Sequence, residues 1–130
     1  AMGHTETVVA LLGQAVRQAV SLGDRAAAAN LLVLKGRARS DLGDDALAKE
    51  NLASARVRLG MDGQGDGIGD DSDRGHCAIQ CAVVARRTGD DAGAATYLEE
   101  AARYLELCEP STHRRVVEVL GELEAGTWSP

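Results

Sequence analysis

Three Gly-Asp pairs stand at the ends of apolar-periodic stretches, at Gly23-Asp24, Gly43-Asp44 and Gly89-Asp90. Glycine takes the left-handed conformation that ends a helix, and the aspartate after it caps the next helix. Helices joined by so short a link must run antiparallel. Periodicity and punctuation then predict helices over about 5–22, 26–42, 45–59, 76–87 and 91–108. A sixth is predicted beyond Pro110, over 111–124, with a Ser/Thr cap at Ser111. The chain is expected to be all-α, built of antiparallel helical hairpins.

Composition agrees with that class. Phe is absent, the only aromatic residues are Tyr97, Tyr104 and Trp128, and Ala, Leu and Val supply most of the apolar mass. Such side chains suit closely approaching helices better than a β-sandwich. No apolar run reaches the length of a bilayer span and no signal peptide is visible, so no membrane partner is expected. Three cysteines make a disulfide framework a poor fit and favour reduced thiols in the cytoplasm. Residues 1–4 read as a cloning remnant, and 5–130 as one domain carrying an Asp/Gly-rich loop at 60–75.

The net charge of −6 is uneven. Residues 1–60 hold eight Lys/Arg against six Asp/Glu, whereas 61–130 hold six against fourteen. That distribution excludes a chain-wide nucleic-acid footprint. Lys35, Arg37, Arg39, Arg56 and Arg58 read as a solvated helix face, and so do Glu99, Glu100, Glu106 and Glu109.

One series of residues recurs. Gly36, Leu42-Gly43-Asp44, Ala48, Leu52 and Ala55 are matched, 46 residues on, by Ala82, Thr88-Gly89-Asp90, Ala94, Leu98 and Ala101. A small residue, a Gly turn, then Ala, a large apolar residue and Ala resembles the tetratricopeptide repeat. The resemblance covers about residues 29–109, and Lys35, Arg39, Ala78 and Ala85 depart from it. The family's period is about 34 residues, and the stretch Asp62–Asp73 has the length of the excess. It reads as an insert between two repeats. The resemblance implies a short, right-handed superhelix of stacked hairpins and a non-catalytic module that binds a protein or peptide. Its groove would be lined by Asn30, Val33, Arg37 and Ser40 from one repeat, and by His76, Ile79, Val83 and Arg86 from the next. Arg37 and Arg86 would draw an acidic segment. Two repeats are short for a solenoid, so either a fragment or a homodimer that covers an open end is expected. An Ala/Leu/Arg-rich helix followed by Leu-Gly-Asp also looks like the C-terminal repeat regions of bacterial LuxR-type transcriptional activators.

The insert supports a second expectation. A twelve-residue Ca²⁺ loop places ligands at its first, third, fifth, seventh, ninth and twelfth positions, with glycine at the sixth. Those places are Asp62, Gln64, Asp66, the Ile68 carbonyl, Asp70 and Asp73, with Gly67 at the turn. The spacing resembles thrombospondin type 3 and EF-hand-like loops, which implies calcium, with magnesium the lesser candidate. Gln64 in place of a carboxylate and Asp73 in place of Glu lower the expected affinity. The alternative function is thus a calcium-binding helical domain. His76, Cys77 and Cys81 have the donor types for Zn²⁺, but two cysteines four apart on an Ala-rich helix read first as buried small hydrophobes. No constellation favours an enzyme.

Overall fold

The structure is a computed structural model and describes residues 2–62 and 68–130. Six helices carry the described chain: α1 (Met2–Ser21), α2 (Arg25–Asp41), α3 (Asp45–Arg58), α4 (Asp71–Arg87), α5 (Asp91–Leu105) and α6 (Pro110–Ala125). No strand occurs among the described residues, and the fold is all-α. The chain divides into two compact units, Ala1–Gly69 and Asp70–Pro130. In the first, α2 packs on both α1 and α3; in the second, α5 packs on both α4 and α6. None of the described helices is long and apolar enough to cross a membrane.

The Gly-Asp turns work as joints. Gly43 has φ of 80°, and its N–H donates to the Ser40 carbonyl at 2.9 Å. The Asp44 N–H donates to the Arg39 carbonyl at 2.9 Å, while the Asp44 carboxylate accepts from the Leu47 N–H. One aspartate therefore closes α2 with its backbone and opens α3 with its side chain. Gly89-Asp90 repeats the pattern: φ of 84°, a 2.8 Å bond from Asp90 N–H to the Ala85 carbonyl, and a 2.9 Å bond from Gly93 N–H to Asp90 Oδ1.

Both hairpins bury the recurring series. Ala48, Leu52, Ala55 and Leu59 are at most 3 % exposed, and so are Ala94, Leu98, Ala101 and Leu105. The tight crossing falls at different places. In α2–α3 it lies at Gly36, where a β-carbon would come within 2.9 Å of Leu52 Cγ. In α4–α5 it lies at Gly75, where a β-carbon would overlap the Leu105 side chain.

Several boundaries differ from those read in the sequence. Helix α4 starts five residues before His76, so Gly75 is buried in a helix rather than ending a loop. The reason is a reciprocal capping box: Asp73 N–H donates to Asp70 Oδ1 at 2.9 Å, and Asp70 N–H to Asp73 Oδ2 at 3.1 Å. Helix α5 stops at Leu105 instead of Cys108. Pro110 occupies the first turn of α6 and Glu109 its N-cap, in place of a Ser111 cap. Proline suits that place because its fixed φ is helical and its missing N–H has no intrahelical partner to lose.

Candidate functional site

The residues expected to line a peptide groove differ in exposure, and His76 among them is exposed. Val33, Ser40 and Val83 are buried, at 7, 6 and 4 % exposure, and cannot present themselves to a partner. Asn30 and Ile79 are half-buried. Arg37 bonds Asp41 one turn along α2 at 3.2 Å. Arg86 is more fully committed. Its Nε donates to the Trp128 carbonyl at 3.0 Å and its Nη1 to both Asp91 carboxylate oxygens at 2.8 Å, while Nη2 reaches the Gly126 carbonyl at 3.4 Å. It is the anchor of the C-terminal segment, with Trp128 buried beside it, and not a free cation for an acidic ligand.

Three aspartates among the described residues of the acidic insert are likewise engaged. Arg56 donates to Asp62 Oδ1 from Nη2 at 2.8 Å and from Nε at 3.1 Å. Asp70 and Asp73 turn their carboxylates onto the α4 backbone, and Ile68 is half-buried. Gln64 and Asp66 lie outside the described residues. A cation here would compete with Arg56 for Asp62 and with helix capping for Asp70 and Asp73. No three His, Cys, Asp or Glu side chains converge on a metal position among the described residues.

One polar cluster is centred on a residue that sequence reasoning passed over. Glu109, read as part of a solvated face, receives the Ser72 hydroxyl, the Thr112 hydroxyl at 3.0 Å, and His76 Nε2 at 2.9 Å. These bonds hold its carboxyl below the usual carboxylate range: Ser72 contributes most, His76 next, and burial opposes them. The cluster joins the first two turns of α4 to the first turn of α6 through the corner after α5. Its geometry is that of a clasp. Ser72 and His76 both address the carboxylate, an arrangement that spends the imidazole on Glu109 and not on activating the hydroxyl. Glu-Pro ahead of a helix, with Thr three residues after the Glu, was the available signal for the cap; nothing local announced Ser72 or His76.

A second feature of the same unit is open. Helices α5 and α6 line an open groove of about 660 Å³ with Ala92, Ala95, Val117, Leu120 and Leu123, and with Gly121 on α6. Asp91, Glu99 and Glu124 stand at its border.

With that geometry established, comparison with protein-family models, curated proteins and solved structures gives no match. Function must be argued from the residues.

The thiols fit the sequence reading. Cys77 and Cys81 are buried on α4, in keeping with small hydrophobes, and Cys108 is exposed. The Cys108 thiol is pushed up from its ordinary value by desolvation, then by the neighbouring Glu109 and Asp71 charges. That is the opposite of what an activated nucleophile needs.

Proposed function

We infer that the chain is a non-catalytic protein-interaction module, its hairpins of the tetratricopeptide kind and stacked as a short right-handed superhelix. One observation carries this reading. Two hairpins set 46 residues apart share the same Gly-Asp joint and bury the same small-large-small series, Ala48-Leu52-Ala55 and Ala94-Leu98-Ala101. Repetition of a packing unit, rather than convergence of reactive groups, is what an interaction scaffold needs. An odd count of three cysteines supports a cytoplasmic setting, and the Leu-Gly-Asp turns support a place in a bacterial regulator.

The test has two arms. A partner isolated by proximity crosslinking in the source cells should bind the purified chain stoichiometrically in calorimetry. A panel of ester, phosphate and peptide substrates should show no turnover. Turnover that disappears in Ser72→Ala or His76→Ala would overturn the reading.

A further inference from the structure

The α5/α6 groove has a definite chemical preference. Its apolar lining is accessible: Val117 is 50 % exposed, Leu120 is half-buried, and Ala92 and Ala95 present only methyl groups. Gly121 faces open space, since a β-carbon there would meet nothing within 4 Å. Small residues on both walls let another helix approach closely. The stretch from Asp91 to Glu99 is roughly 12 Å long at a helical rise, enough for about two turns of a docked helix.

The border is acidic. Asp91 is held by Arg86, but among the described residues neither Glu99 nor Glu124 has an ion-pair partner. The surrounding unit shares this sign. Residues 70–130 carry twelve Asp/Glu against six Lys/Arg, whereas 1–69 carry eight of each. The chain's whole net charge therefore belongs to the unit that holds the groove. Such a field draws cationic partners and repels phosphate backbones and acidic segments. It also opposes a symmetric dimer through this groove, which would bring two acidic borders together.

We propose that the α5/α6 groove binds a basic amphipathic helix of a protein partner. Apolar side chains at i, i+3 or i+4 and i+7 cover Val117 and Leu120, and flanking Lys or Arg side chains meet Glu99 and Glu124. The proposal rests on the interaction-module reading and reverses the charge expected of the ligand from Arg37 and Arg86.

The experiment uses the full chain and a labelled synthetic helical peptide with Leu at that spacing and Lys/Arg on its flanks. A twin peptide has Glu in place of each Lys and Arg. Anisotropy should give saturable binding of the basic peptide, at least about tenfold tighter than its twin and weakening with salt. NMR shifts should be confined to 91–99 and 117–124. Gly121→Phe, which fills the open space, should weaken binding by about tenfold or more at unchanged helicity. Glu99→Lys with Glu124→Lys should do the same and restore binding of the acidic twin. Equal binding of the two peptides, indifference to both variants, or no saturable binding would overturn the proposal. Shifts mapped to other helices would overturn the groove and leave the module reading standing, since calorimetry with an isolated partner tests that reading independently.

Discussion

Gly75 of α4 lies against Leu105 of α5 with no room between them for a β-carbon. Leu105 is fully buried. Gly75→Ala should therefore destabilise the second unit by about 1–3 kcal/mol of overpacking, although alanine is the better helix former. Gly121→Ala provides the control. It sits in α6 with open space ahead of it, so the helical preference acts alone and should add about 0.5–1 kcal/mol. Urea unfolding followed by circular dichroism reads both, and opposite signs are expected.

The clasp on Glu109 has a pH signature. A carboxyl held below its ordinary value of 4.5 in the fold stabilises that fold above the ordinary range. The contribution is lost as pH falls through the depressed value. Glu109→Gln should lower the melting temperature at neutral pH and flatten its decline between about pH 5 and pH 2. An acid limb identical to that of the parent would refute the role assigned to the clasp.

Arg86 ties the C-terminal segment to α4 through the Trp128 and Gly126 carbonyls. Trp128 is the only tryptophan and is 9 % exposed, so its fluorescence reports that attachment directly. Arg86→Met should shift the emission to the red and increase iodide quenching. Asp91→Asn, which removes only the ion-pair side of Arg86, should shift it less.

The capping box gives a prediction that also decides the calcium alternative. Asp73→Ala removes the acceptor of the Asp70 N–H and should cost about 1 kcal/mol, the usual effect of losing a cap. As a cap, Asp73 should show the same loss with and without millimolar Ca²⁺. A calcium-dependent rise in melting temperature, abolished by Asp73→Ala, would favour the metal loop instead.

Thiol labelling separates the three cysteines. Native protein should lose only Cys108 to an alkylating reagent, slowly at neutral pH and faster as pH rises past the ordinary thiol range, as its raised value requires. Cys77 and Cys81 should react only in denaturant, which peptide mass spectrometry would resolve.

What could be read from the sequence depended on how far a signal reached along the chain. The hairpin joints were legible because Gly43-Asp44 and Gly89-Asp90 carry the whole turn in adjacent residues, helix end and cap together. The start of α4 was not. Asp70 to Gly75 has the composition of a loop, and a cap made by two aspartates three apart looks the same as two candidate calcium ligands. The clasp was out of reach because Ser72 and His76 lie 37 and 33 residues from Glu109. The burial of three expected groove residues was illegible for another reason. Alignment with a repeat family assigns Val33, Ser40 and Val83 to a concave surface, but alignment carries no information on burial, and these side chains are covered. Arg86 looked available because two of its partners, the Trp128 and Gly126 carbonyls, are backbone atoms that no composition announces.

The Gly-Asp joint has a consequence for how this chain could change over generations. Asp44 and Asp90 each serve two helices at once, leaving no spare residue in the link. Inserting one residue there would part the backbone bond that ends one helix from the carboxylate that begins the next. Length variation among descendants should accordingly avoid 42–45 and 88–91 and accumulate between Gly60 and Gly69, where the two compact units meet in sequence.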